Sequence, residues 1–189
     1  EEAVTRADEL IASKNPNLPE AERKVIAQMV GIGAVKYADL STDRVRDYVF
    51  DWERMLSFDG NTGPYLQYAH ARIAAVLRNA QELGASLELK DFDPAQLSHD
   101  RENELLGALA EFPRVVASAA EFREPHRVAR YLEELAGTYH GFYNDCRVLP
   151  MGDEQLTALH TARLLLCTAT KQVISNGLDL LGVSAPERM

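Results

Sequence analysis

From residue 153 to residue 181, apolar side chains recur at helical spacing around most of a helix circumference rather than along a single edge. Leu159, Ala162, Leu166, Ala169, Val173 and Leu180 fall on one stripe, with Leu164, Leu165 and Ile174 beside it. A helix apolar on so many sides must be wrapped by other elements, so this segment is expected at the centre of the fold. Its surroundings are helical too. Each remaining long segment repeats its apolar residues with a period near 3.6, and none alternates with the period of two that marks a strand. The expected fold class is all-α, a helical bundle preceded by a short helical segment.

Punctuation divides the chain further. A helix over residues 1–14 stops at Asn15-Pro16, because the residue before a proline leaves helical space. Pro19 restarts a helix that runs to about residue 38. Gly31 and Gly33 inside it each cost about 1 kcal/mol against Ala, which points to close backbone packing. Residues 39–51 form a charged connector, followed by an apolar patch of Val49, Phe50, Trp52, Met55, Leu56 and Phe58 suited to docking one unit on another. Further helices are expected over 64–83, closed by Gly84 in the usual cap position, and over 100–111, 113–122 and 125–143.

Several function classes drop out early. No GxxxxGK[ST], GxGxxG, HExxH or GxSxG pattern occurs. His70, His99, His126, His140 and His160 place no pair on one helical turn, so no metal site is expected, nor any cofactor for the chain itself. Cys146 and Cys167 lack CxxC spacing and read as free thiols of a reducing, cytoplasmic compartment. No apolar run approaches the ~20 residues of a membrane span. The start at Glu1, inside a helical pattern, reads as that of an excised fragment. The net charge of -9 over 189 residues argues against a broad basic face for duplex DNA. Its distribution is uneven, however: residues 60–81 and 155–178 contain no Asp or Glu yet hold Arg72, Arg78, Arg163 and Lys171.

The first of these windows carries the chemistry. In SFDGNTGPYLQYAHAR, residues 57–72, a Gly- and Pro-containing loop opens into a helix that presents Tyr65, Tyr68 and Arg72 on one stripe at ~100° per residue. Two aromatic planes and a guanidinium suit unstacked bases and their phosphates, and stacking is worth about 1–3 kcal/mol per base. Asn61 and Thr62 add polar groups at the positive end of the helix. The alternative is that the tyrosines are half-buried bundle residues and Arg72 pairs with an acid, leaving a helical protein-interaction module that binds no RNA.

Four stretches carry a family resemblance: VGIGAVKYADLS at 30–41, DYVFDWERMLSFDGNTGPYLQYAHAR at 47–72, LAGTYHGFYNDCRVL at 135–149 and NGLDLLGVSAPERM at 176–189. Together they resemble the C-terminal region of bacterial arginyl-tRNA synthetase, a class I aminoacyl-tRNA synthetase. The resemblance implies that residues 1–58 are the helical end of a catalytic domain and residues 59–189 an anticodon-binding bundle. It implies a parent enzyme that uses ATP and Mg to attach arginine to its tRNA. Neither the HIGH-type nor the KMSK-type signature is present, so this chain alone is expected to be inactive. The partners implied are the anticodon loop of arginine tRNA, whose middle cytosine is recognised, and the catalytic domain of the same polypeptide. Tyr65 and Tyr68 would stack on or line a pocket for loop bases, and Asn61 and Gln67 would offer polar contacts. Arg72 would meet backbone or base, and Arg188 with the terminal Met189 would help close the pocket. Relatives with aromatic residues between the last two helices differ from this chain, which has Arg147 and Met151 there.

Overall fold

Helices account for every regular element in the computed structural model, which describes residues 1–189. They are α1 (Glu2–Lys14), α2 (Glu20–Leu40), a one-turn α3 (Trp52–Met55), α4 (Gly63–Glu82), α5 (Asp100–Ala110), α6 (Phe112–Phe122), α7 (His126–Asp145) and α8 (Ala158–Leu180). Two 3-10 turns, Leu89–Asp91 and Pro94–Gln96, punctuate the loop between α4 and α5.

As expected, α8 is central, packing against α4, α5 and α7. Its buried face is rotated from the expected stripe. Cys167, Thr170, Ile174, Gly177 and Leu178 are buried, while Ala169 and Leu180 are exposed. Thr170 can turn inward because its hydroxyl donates to the Leu166 carbonyl at 2.8 Å, leaving no unpaired polar group. The helix also starts five residues later than expected. Thr157 caps it, its side-chain oxygen accepting from the His160 amide while His160 Nδ1 accepts from the Thr157 amide. Residues before that are held as loop by Glu154, which accepts from the Met151 amide and from Arg147. The helix α3 has no counterpart in the sequence reading; the Asp51 carboxylate starts it by accepting from the amides of Glu53 and Arg54.

Two cores result. The larger lies among α4, α5, α7 and α8, and the smaller holds Ala7, Ile11, Ile26, Ala27, Val30, Ala34 and Leu56 between α1 and α2. The apolar patch after the connector joins the smaller one only in part. Met55 and Leu56 are buried and Trp52 is half-buried beneath the Arg6 guanidinium, whereas Val49 and Phe50 remain exposed.

Glycine spacing explains how closely α2 can be approached. A Cβ on Gly31 would stand 2.6 Å from the Ala3 carbonyl oxygen, so α1 crosses α2 backbone against backbone. A Cβ on Gly63 would meet Tyr37 Cβ at 2.9 Å and the Gly33 carbonyl oxygen at 3.0 Å, which seats the start of α4 directly on α2. Tyr37 then reaches across into the larger core. Its hydroxyl donates to Glu133 on α7 at 2.6 Å, and burial foremost raises the pKa values of both groups.

On the far side, Glu102 is only 1% exposed and accepts from Arg163 of α8 at 2.6 Å and from the His99 amide at 2.8 Å. Burial works against its ionisation, but the His99 amide and the Arg163 guanidinium together hold its pKa below the ordinary 4.5.

Gly31→Ala is expected to destabilise the fold by about 1–3 kcal/mol through overpacking against immovable backbone. Gly107→Ala, within α5 and facing open space, is expected to stabilise it by about 0.5–1 kcal/mol. Urea titration of both variants checks the opposite signs. The Glu102–Arg163 pair contributes above the unfolded carboxylate pKa near 4.5, and that contribution is lost as pH falls through the lower folded value. Glu102→Gln is therefore expected to cost about 3 kcal/mol at neutral pH and to show a shallower loss of stability on acidification. Chemical denaturation across pH 3 to 7 measures it.

Candidate functional site

The N-terminus of α4 is fixed before any ligand-facing residue appears. The Thr62 side-chain oxygen accepts from the Tyr65 amide at 3.1 Å, and its hydroxyl donates to the Ser57 carbonyl at 2.6 Å. Pro64 occupies the first turn, where its missing N–H costs nothing.

At the other end of the chain, Gly182 takes a left-handed φ of 64° that turns the backbone out of α8. The tail that follows is laid along α4 by a ladder of side chains. Gln67 Nε2 donates to the carbonyls of Ser184 at 2.8 Å and Met29 at 3.2 Å. His70 Nδ1 donates to the Pro186 carbonyl at 2.9 Å, and burial foremost lowers its pKa, keeping it neutral. Arg78 donates to the Glu187 carbonyl, and Lys171 pairs with the Glu187 carboxylate at 2.6 Å.

This ladder delivers the chain terminus to one open concavity of about 560 Å³, lined by Tyr68, Arg72, Arg78, Arg188 and Met189 with a wall from Asn15, Asn17, Leu18, Pro19 and Glu22. Tyr68 is 40% exposed. Its ring meets Phe58 edge-on, with centroids 6.0 Å apart, and the Arg72 guanidinium stands 5.7 Å from its centre. Arg78 and Lys171 are engaged by Glu187, whereas Arg72 and Arg188 form no ion pair. The site therefore offers one aromatic face and two uncommitted guanidiniums, a donor set matched to a planar base and an anionic backbone.

Four of the seven expected site residues, Tyr68, Arg72, Arg188 and Met189, thus come together. Tyr65 is adjacent but half-buried, its hydroxyl 3.1 Å from His140 Nδ1 on α7. Asn61 is exposed but faces a separate hollow of about 330 Å³ shared with Thr42, Asp47, Tyr48 and Arg54. Gln67 departs from expectation. It is fully buried as the strut between α2 and the tail, with both donors of its nitrogen spent on carbonyls and its unpaired Oε1 enclosed with it, so it does not line the concavity. Phe58 against Tyr68, His140 against Tyr65 and the α1–α2 turn in the wall of the concavity have no signal in the sequence, since each arrives only through tertiary packing.

A second concavity, about 430 Å³ between α5–α6 and α7, contains Arg114, Arg127 and Arg130. Arg114 is paired with Glu111 and Arg127 with Glu124, which leaves it less able to hold an anion. No group of three or more His, Cys, Asp or Glu side chains is arranged to hold a metal ion, and no helix is long and apolar enough to cross a membrane.

Gln67→Leu keeps the volume but removes both hydrogen bonds of the strut to the carbonyls of Met29 and Ser184, and is expected to cost about 1–3 kcal/mol. Tyr68→Ala is expected to change stability by no more than about 0.5 kcal/mol, as befits an exposed side chain. Thermal melts of the two variants separate strut from surface.

The chain is similar to known proteins over its whole length. Residues 66–189 match the model of the DALR anticodon binding domain, and residues 1–52 match that of the class I (R) tRNA synthetase catalytic domain. The fold superposes on the arginyl-tRNA synthetase of Thermus thermophilus with a TM-score of 0.85 and 34% identity, covering 100% of this chain and 31% of that one. The arginyl-tRNA synthetase of Plasmodium falciparum gives 0.81 and 27%, covering 100% and 32%. The chain spans about a third of the length of these relatives. An all-α bundle whose terminus is carried back to an aromatic and basic concavity on α4, in a chain matched from end to end, belongs to the arginyl-tRNA synthetase family as its DALR anticodon-binding domain joined to the end of the catalytic domain.

Proposed function

We propose that this chain recognises the anticodon loop of arginine tRNA as the C-terminal part of a cytoplasmic arginine-tRNA ligase. The observation that carries this is the concavity where exposed Tyr68 lies beside Arg72 and Arg188, two guanidiniums without acidic partners in a chain of net charge -9. A loop base stacks on the ring, and the phosphates on either side meet the guanidiniums. Met189 closes the pocket from the side of α1 and α2, against whose core it packs. Tyr65 presents the part of its ring that the bundle leaves uncovered.

The parent ligase activates arginine with ATP and Mg and passes it to tRNA. None of that chemistry has its residues here, since the HIGH-type and KMSK-type motifs are absent. The partner within the same polypeptide is the remainder of the catalytic domain, continuous with α1 and α2.

Fluorescence anisotropy with an RNA stem-loop carrying an arginine anticodon tests this. Binding is expected at micromolar or weaker affinity and to weaken steeply with salt. Tyr68→Ala is expected to cost about 1–3 kcal/mol, the worth of one stacked base. Arg72→Ala is expected to lower the slope of log K against log salt by about 0.7, one single-strand phosphate contact. Equal affinity for a stem-loop of unrelated anticodon would overturn the assignment to arginine tRNA.

A further inference from the structure

We infer that His140 is a positioning residue for RNA binding, tying the hydroxyl of Tyr65 so that its ring stands ready as a second stacking surface. This rests on the RNA-loop function just proposed and names a residue through which it works. His140 Nδ1 lies 3.1 Å from Tyr65 Oη, and the two rings meet edge to face with centroids 5.7 Å apart and planes at 72°. Tyr65 is thereby fixed at both ends, its backbone amide held by Thr62 and its hydroxyl by a side chain 75 residues away on α7. Its ring also packs on the larger core.

Tyr68, three residues on, has no such tie. Its hydroxyl forms no hydrogen bond, and its aromatic and cation contacts are the ring of Phe58 and the Arg72 guanidinium. The two tyrosines of the stripe therefore differ in kind, one preformed and one adaptable. A base that stacks on a ring already immobilised gives up less side-chain freedom on binding, so the affinity comes through preorganisation. The bond survives either tautomer of His140, because the phenol can donate to the ring nitrogen or accept from it. Burial, and after it the nearby Arg72, disfavours the charged imidazole, so the pair remains neutral beside the guanidinium.

The same stem-loop titration, on the full chain with His140→Ala, Tyr65→Phe and the double variant, decides the point. Each single change is expected to weaken binding about 2- to 10-fold, and the double change is expected to be no weaker than the worse single one. His140→Asn places a polar atom where Nδ1 stands. It is expected to restore binding and to restore the cost of Tyr65→Phe as well. Independent, multiplying losses in the double variant would overturn the inference, as would a loss in His140→Ala that Asn does not rescue. If His140→Ala does not fold, the Asn background with and without Tyr65→Phe carries the test. A wild-type chain that binds no stem-loop would instead overturn the RNA function itself, and this inference with it.

Discussion

One buried amide determines where the two ends of this molecule meet. Gln67 points its nitrogen at carbonyls of both α2 and the C-terminal tail, and its Oε1 has no protein partner, so exchanging the two amide atoms would set an oxygen against two oxygens. The orientation is forced. With it, the tail is pinned one residue past the turn at Gly182–Val183, and the contacts of His70, Arg78 and Lys171 carry it on along α4. Burying an amide is costly unless its donors are used, and here both are. A hydrophobic residue at 67 would pack against α2 but would loosen the first rung of the ladder, leaving His70, Arg78 and Lys171 to hold the tail that carries Arg188 and Met189.

Charge is arranged on the same plan. The chain is acidic overall, yet the helices that form the site contain long windows without carboxylates, so the few cations there are not all neutralised. Arg163 is committed to Glu102 and Lys171 to Glu187, which makes both structural. Arg72 and Arg188 are left over. At physiological salt, fields from exposed carboxylates fade over about 8 Å, so two free guanidiniums in a concavity present a local attraction that the total of -9 conceals.

The sequence was legible where periodicity and punctuation decide the outcome. Helix existence, the proline and glycine boundaries, the centrality of α8 and the tight approach at Gly31 all follow from local rules. Side-chain roles along α4 were legible only in part. Tyr65, Gln67 and Tyr68 lie within one turn of the same helix, and nothing local distinguishes the buried strut from the exposed ring; the tail, more than a hundred residues later, makes that distinction. The rotation of α8 has a similar origin. Thr170 is inward because its hydroxyl is satisfied by its own helix, and Gly177 lets Leu132 of α7 come close, neither of which an apolar count weighs. The short α3 depended on a single capping carboxylate at Asp51, too little for any periodic signal.

The geometry of α7 joins these parts. His140 holds Tyr65, and seven residues earlier, two turns back on the same helix face, Glu133 holds Tyr37 of α2. Both bonds are made by tyrosine hydroxyls, the short rigid kind of contact that transmits position better than a flexible ion pair. Gly63 seats α4 on α2 without an intervening side chain, so α2, α4 and α7 form a triangle closed by two hydroxyl bonds and one backbone contact. Within such a triangle the ring of Tyr65 and the ring of Tyr37 are both referred to α7, so the proposed stacking surface and the end of the α1–α2 unit share one rigid reference.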